Sequence, residues 1–128
     1  MNVLLDTHVA LRALTDSPRL PQKAREIVQS PQTTVWISAA CVWEIAIKHA
    51  LGRGDMPMSS QDALRYFRES GYRFLDVEAE RAIVVEDLPA HHQAPFDRIL
   101  VAQSLVEPMR LITHDPLVAR YSDTIIKI

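Results

Sequence analysis

A chain of 128 residues with 48% hydrophobic and 23% charged residues has the length of one ordinary domain and buries roughly two-thirds of the surface it exposes unfolded. That apolar share, with a net charge of −2, excludes a disordered chain, and no apolar run approaches the ~20 residues of a membrane span. The single cysteine, Cys41, excludes an internal disulfide and a cysteine-rich metal cluster. A reducing, cytoplasmic setting is therefore expected, and Met1 runs into a strand-like segment without a signal-peptide pattern.

Asn2–Leu5 (NVLL) reads as a buried parallel strand, short, apolar and handing over to polar residues at its C-terminal end. A short helix follows over 8–14, then one over 21–30 that opens on Pro21, whose fixed φ suits a first helical position. The second strand, 34–37 (TVWI), runs into a helix at 39–51 that is apolar almost throughout and stops at Gly52. In the loop 52–58, Arg53-Gly54-Asp55 spells an adhesion tripeptide, which in a cytosolic chain is chance. The helix at 61–70 starts after Ser59, with Asp62 three residues on as a capping-box pattern, and ends at Gly71. Then come a weaker strand at Arg73–Leu75, a helix at 79–88, a loop at 89–95 (PAHHQAP) and a helix at 96–106. A third strong strand at 110–112 (RLI) and a weaker one at 124–127 complete the chain. Strands alternating with helices predict an α/β fold, one domain over residues 1–128, with a central parallel sheet of about five strands and helices on both faces.

In such a sheet, ligands bind outside the carboxyl ends of the strands. The first strand ends in Asp6-Thr7-His8, the second in Ser38, and the third in Thr113-His114-Asp115. Two further acids come from helices: Glu44, within Val42-Trp43-Glu44-Ile45, and Asp97, which opens Phe96-Asp97-Arg98-Ile99. Taken singly, Asp6, Asp97 and Asp115 read best as helix N-caps. Glu44 differs, because its helix is so apolar that the carboxylate must be largely buried, which is costly unless it is paired or bound to metal. Its pairing alternative is Lys48 at i,i+4. Four carboxylates converging at one sheet edge repel one another and demand a cation. Oxygen ligands with hydroxyl neighbours suit Mg²⁺ or Mn²⁺ rather than Zn²⁺, and an open site of that kind handles phosphate esters.

These residues resemble the PIN-domain family, in particular the VapC-type toxins of bacterial toxin–antitoxin pairs. The likeness is carried in order by Leu4-Leu5-Asp6-Thr7-His8, by Ile37-Ser38 with Trp43-Glu44-Ile45-Ala46-Ile47-Lys48, by Leu88-Pro89-Ala90-His91-His92, by Pro95-Phe96-Asp97-Arg98-Ile99-Leu100-Val101-Ala102-Gln103, and by Leu111-Ile112-Thr113-His114-Asp115. It implies an endoribonuclease whose acidic quartet, Asp6, Glu44, Asp97 and Asp115, holds one or two Mg²⁺ or Mn²⁺ ions. Thr7, Ser38 and Thr113 are implied to orient ligands or water. It further implies an RNA substrate, a small cognate antitoxin protein and a homodimer. One departure is Ala94, where toxins with a double-His loop often carry an Asp.

Other polar residues have two readings each. Arg98 contacts a phosphate or holds one of the acids, and Lys48 reaches substrate or pairs with Glu44. His91 and His92 line an RNA path or are solvated, while His8 and His114 flank the pocket without binding metal. Trp36 and Trp43 read as core. Met56, Met58, Tyr66 and Phe67 form either an interface, with a second copy or an antitoxin helix, or ordinary core. Net charge leaves nucleic acid open, since eleven of the fourteen basic residues are Arg, the better match to phosphate. The competing functions are a catalytically silent RNA- or protein-binding module and a metal-dependent DNA nuclease or phosphatase. Against a haloacid-dehalogenase-type phosphatase, His8 stands where a second Asp is needed.

Overall fold

Asn2–Leu5 (β1) leaves Val3, Leu4 and Leu5 with no solvent exposure. A strand with consecutive residues buried must be covered on both faces. The computed structural model describes residues 1–52 and 56–128, so the Arg53-Gly54-Asp55 triplet lies outside the described residues. After β1 come α1 (Thr7–Leu14), α2 (Gln22–Gln29), β2 (Thr34–Ser38), α3 (Ala39–Ala50), α4 (Ser60–Glu69) and β3 (Arg73–Leu75). Then follow α5 (Ala79–Val84), α6 (Pro95–Val106), β4 (Arg110–Thr113) and β5 (Ile126–Lys127), with short 3₁₀ helices at Val85–Asp87 and Val118–Tyr121.

The five strands form one sheet in the order β3-β2-β1-β4-β5. Every pairing is parallel, with Val3 opposite Val35 and Leu4 opposite Leu111 on the two sides of β1. From β1 the chain steps through β2 to β3, then returns across the sheet to β4. Right-handed crossovers therefore assign α1 to α4 to one face and α5 and α6 to the other. The reversal falls between β1 and β4, and such a switch point opens a crevice at the strands' carboxyl ends. Among the described residues no helix is long and apolar enough to cross a membrane.

Most boundaries agree with the sequence expectation to within a residue or two, and the larger differences have local causes. The helix expected at 79–88 ends as α-helix at Val84 and tightens into the 3₁₀ turn. Leu88, ahead of Pro89, is extended with ψ 141°, as a residue preceding proline prefers. The strand expected at 124–127 keeps only Ile126 and Lys127 in the sheet. Before it, the chain turns through Ile125 N–H to Ser122 O (3.2 Å), and Arg110 Nε takes the Thr124 carbonyl at 2.8 Å. Pro21 stands at the N-cap of α2 rather than inside it. Gly52 stops α3 with φ +67°, the left-handed conformation that favours glycine.

One expectation about apolar side chains is corrected, and one pair of open readings is resolved. Trp43, read as core, is 62% exposed, because α3 turns Ala40, Cys41, Glu44 and Ile45 inward and leaves the indole on the opposite side. The Met56, Met58, Tyr66 and Phe67 group is mostly core. Phe67 is fully buried, Met56 is buried, Met58 packs against the core, and Tyr66 alone is 40% exposed. Phe67 pairs with the Tyr72 ring at 6.1 Å and the Phe74 ring at 6.5 Å between centroids, tying α4 to β3. Truncating so large a buried ring costs about 3–5 kcal/mol, a large part of a domain's stability. Phe67→Ala is therefore expected to unfold at much lower urea concentration than Tyr66→Ala, whose exposed ring makes a difference of under about 1 kcal/mol. Equal midpoints for the two variants would contradict this core.

Candidate active site

The switch point sets the first acids in place. As β1 ends, Asp6 N–H donates to Ile112 O of β4 at 3.1 Å, and the Asp6 carboxylate caps α1 by accepting from Val9 N–H at 2.8 Å. On the neighbouring strand end, Asp115 N–H donates to Thr113 Oγ1 at 3.1 Å, and Asp115 Oδ1 accepts from Leu117 N–H at 2.8 Å. Thr113 is completely buried and also hydrogen-bonds the Asp6 carboxylate, so one hydroxyl links the two strand-end acids. Asp6 and Asp115 thus serve as turn caps and as walls of the crevice together. Asp97 is not an N-cap: α6 begins at Pro95, so Asp97 lies within its first turn.

Glu44 is 6% exposed, as the apolar character of α3 requires. Thr7 Oγ1 donates to its Oε1 at 2.5 Å, and Lys48 Nζ pairs with its Oε2 at 2.6 Å. Both carboxylate oxygens therefore have a donor, and the Lys48 pair expected from the i,i+4 spacing is formed. Asp6, Glu44, Asp97 and Asp115 all line one cavity of about 280 Å³, together with His8, Lys48, Ala94, Phe96 and His114. The fold brings the four acids together.

His92 enters this cluster from the loop ahead of α6. Its Nε2 lies 2.9 Å from Asp97 Oδ2 and 3.2 Å from Asp115 Oδ2. Its Nδ1 accepts from Gln93 N–H at 3.0 Å, so the ring proton sits on Nε2 and is directed at the two carboxylates. Among the described residues, His92, Asp97 and Asp115 form the one triplet of metal-capable side chains whose ligand atoms all lie within 4.8 Å of one another. Sequence reasoning left His92 between an RNA contact and a solvated loop residue, and the structure gives it a third place, against the acids. His91 stacks edge-on against the Tyr121 ring at 5.0 Å. His8 and His114 meet edge-on at 5.6 Å, with His114 Nδ1 3.9 Å from Asp6.

Arg98 touches neither an acid nor the cavity. Its Nη1 donates to Pro89 O (2.9 Å), His92 O (3.1 Å) and Tyr121 Oη (3.0 Å), and its Nη2 to Val85 O (2.8 Å) and Leu88 O (3.3 Å). One guanidinium thus gathers the 85–92 segment, and Tyr121 completes the clamp by accepting from His92 N–H at 2.9 Å. Sequence reasoning missed Tyr121, which lies 29 residues from its partner with no local pattern to mark it. The Ser38 hydroxyl is hydrogen-bonded to groups other than the acids. It caps α3 through Ala40 N–H at 3.1 Å and donates to buried Gln103 at 2.6 Å, which in turn holds Asp76 O at 3.2 Å.

Electrostatics follow from this geometry. Burial pushes the Asp6 carboxyl above its ordinary range, against the pull of Thr113 and Val9. Asp97 is raised as well, first by burial and then by Asp6, while His92 pulls it down and Glu44 and Asp115 push it up. Buried Cys41 has its thiol pushed up to about 12, which removes it as a nucleophile. The donor set is four carboxylates whose mutual repulsion a divalent cation relieves, so the residues fit such an ion. An apolar cavity of about 490 Å³ adjoins, lined by Trp43, Ile47, Val85, Ile99 and others, and shares Phe96 with the acidic one.

A carboxyl whose folded-state value is raised stabilises the fold while protonated, and that contribution is lost as pH rises through the folded value. Without metal, Asp97→Asn is accordingly expected to melt higher than wild type at neutral pH, with the gap closing as pH falls through the carboxylate range. Added Mn²⁺ raises the wild-type melting temperature and not the variant's; a variant that melts lower at neutral pH contradicts the repulsion. For the clamp, Arg98→Lys replaces a planar fork by a point charge with three donors. It is expected to lower stability by about 2 kcal/mol and to speed proteolysis within residues 85–93, the latter distinguishing a released loop from general unfolding.

Comparison with known proteins agrees with this architecture. No curated protein is significantly similar in sequence, whereas several solved structures share the fold. A chain of VapBC2 from Rickettsia felis, bound to a DNA fragment from its promoter, superposes with a TM-score of 0.71 at 16% identity, covering 100% of this chain and 98% of that one. A toxin-antitoxin complex from Klebsiella pneumoniae gives 0.62 at 16% identity, over 98% and 99% of the two chains. FitAcB from Neisseria gonorrhoeae gives 0.60 at 17%, over 98% and 96%. The PIN domain family model matches residues 3–123, nearly the whole chain and all four acids of the cavity, and the protein therefore belongs to the PIN-domain family.

Proposed function

We propose that this protein is a divalent-metal-dependent endoribonuclease and the toxin of a toxin–antitoxin pair, the whole of residues 1–128 working as one nuclease unit. The observation that carries the reading is the convergence of Asp6, Glu44, Asp97 and Asp115 on one cavity at the switch point, with Asp97 raised first by burial and then by its three acidic neighbours. Asp6, Glu44, Asp97 and Asp115 are the residues that would hold Mg²⁺ or Mn²⁺, one ion or two. When bound, the metal supplies Lewis-acid polarisation of a phosphate oxygen and a lowered pKa for its water.

The protein's own groups supply position. Thr113 fixes Asp6 relative to Asp115, and Thr7 and Lys48 fix the two oxygens of Glu44. His92 orients Asp97 and Asp115 through Nε2–H, as supporting groups do around metal sites. Gln103, held by Ser38, braces α6 against the end of β3. The aromatic wall of Phe96 limits water at the cavity edge and so strengthens the electrostatic interactions within it.

The toxin reading draws on the printed description of the Klebsiella pneumoniae neighbour as a toxin-antitoxin complex. It carries with it a small antitoxin partner, a homodimer and a cytoplasmic location, while the choice of RNA over DNA follows the family resemblance. The test is cleavage of total cellular RNA by purified protein in Mg²⁺ or Mn²⁺, with fragment ends mapped and matched DNA as comparison. Discrete cuts leaving 5′-phosphates are expected, abolished by chelator. Asp97→Asn lowers the rate by more than about 100-fold, while Thr7→Ala, which removes only a hydrogen bond from Glu44, lowers it by about 10–100-fold. Cutting that survives both chelator and Asp97→Asn rejects the metal site, and metal-dependent cutting confined to DNA rejects the ribonuclease.

A further inference from the structure

The first helix carries a second depression. His8, Leu11, Arg12 and Thr15 follow i, i+3, i+4, i+7 spacing along α1, so they form one stripe leading away from the acidic cavity. That stripe walls a cavity of about 290 Å³, closed on its other side by Ser17, Arg19 and Pro57. His8 lines this cavity and the acidic one alike, so the two adjoin across its ring. Among the described residues, no carboxylate lines the second cavity. Asp16, the acid nearest in sequence, is engaged by Arg25. Arg12 and Arg19 have no side-chain hydrogen bond or ion pair among the described residues.

The turn that carries Arg19 is firmly built. Ser17 N–H donates to Arg12 O at 3.0 Å, Arg19 N–H to Ser17 Oγ at 3.1 Å, and Leu20 N–H to Ser17 O at 3.0 Å. Two guanidiniums are therefore presented on fixed backbone beside a cluster of acids. By contrast, the cations that sequence alone nominates for nucleic acid are already committed: Lys48 to Glu44 and Arg98 to main-chain carbonyls.

We propose that this cavity is the track for the substrate's phosphate chain, with Arg12 and Arg19 holding phosphates next to the scissile one. The inference rests on the acidic cavity being a ribonuclease site, and its ligand is single-stranded RNA. The placement answers a requirement of that reaction. A polyanion must present one phosphodiester to a carboxylate cluster that repels its neighbours, so those neighbours need positive charge close by. α1 rises about 1.5 Å per residue, which sets Arg12 about 6 Å further along the axis than His8. Arginine forks bind phosphate bidentately, and the Ser17 hydroxyl, which accepts from Arg19 N–H and keeps its own proton to donate, adds a neutral hydrogen-bonding group to the same wall.

The test is binding of a short fluorescent single-stranded RNA of mixed sequence, by anisotropy, in an Asp97→Asn background that prevents cleavage. Adding Arg12→Gln with Arg19→Gln is expected to weaken binding by about tenfold. It should also flatten the plot of log affinity against log salt by about 1.4, from two phosphate contacts at ~0.7 each for single strands. Arg12→Glu with Arg19→Glu weakens it further, and the control pair Lys23→Gln with Lys127→Gln leaves it unchanged. Melting curves matching the parent's keep the comparison to binding. Parental affinity and salt slope in both arginine double variants overturn the track while leaving the ribonuclease reading intact. A parent that binds no RNA overturns both.

Discussion

Everything in this molecule is arranged around carboxylates taken out of water where β1 and β4 end. A buried carboxylate is tolerated only when donors satisfy it, and each acid here has its own. Asp6 has Val9 N–H and Thr113, Glu44 has Thr7 and Lys48, and Asp97 shares His92 with Asp115. These donors come from α1, α3, β4 and the loop before α6, so the cluster draws together elements from both ends of the chain. What they do not remove is the burial of Asp97 and the repulsion among the acids themselves, which together leave it raised. The fold thus holds a standing electrostatic demand for positive charge at one point, and stability is given up there for function.

The structure also dissolves an opposition that looks sharp in the sequence. An Asp just before a helix reads either as an N-cap or as a site residue, yet Asp6 is both. In a parallel α/β unit the helix starts where the strand's carboxyl end meets the crevice, so a cap at that junction faces the ligand side by construction. One carboxylate oxygen of Asp6 holds the Val9 N–H while the side chain still lines the cavity. Capping fixes the rotamer, and a fixed rotamer is what a ligand position needs.

The strands and the acids were legible because they rest on local signals. Buried parallel strands are short apolar runs, and Glu44 betrays itself as a charge in an apolar helix. What escaped depends on partners far along the chain. Arg98 follows Asp97 directly, and adjacency suggests a shared site, yet its guanidinium turns to five oxygens of the preceding loop and Tyr121. Trp43 sits in a helix apolar nearly all round, and such a helix reads as buried on every side. The sheet needs only one of its faces, so the indole stays out at 62% exposure. His92 is the converse case, a loop histidine without any sequence mark of burial that the Arg98 clamp presses against the acids by holding its own carbonyl.

These commitments divide the surroundings of the acids into unlike sides. On the α3 and α6 side the wall is apolar, with Trp43 and Phe96 edge to edge at 5.2 Å and Ile99 behind them. On the α1 side it is polar and cationic, with Arg12 and Arg19 beyond His8. A polyanion arriving at the acidic cavity meets hydrocarbon in one direction and guanidinium in the other. Desolvating phosphates against the apolar wall is costly, whereas pairing them along α1 is favourable. On the proposed reading, the direction in which the strand leaves the site is therefore fixed by this asymmetry before any base is recognised. Selectivity for a particular RNA must then act through bases carried over the apolar side, where exposed aromatic faces can stack on them without drawing the phosphate chain away from α1.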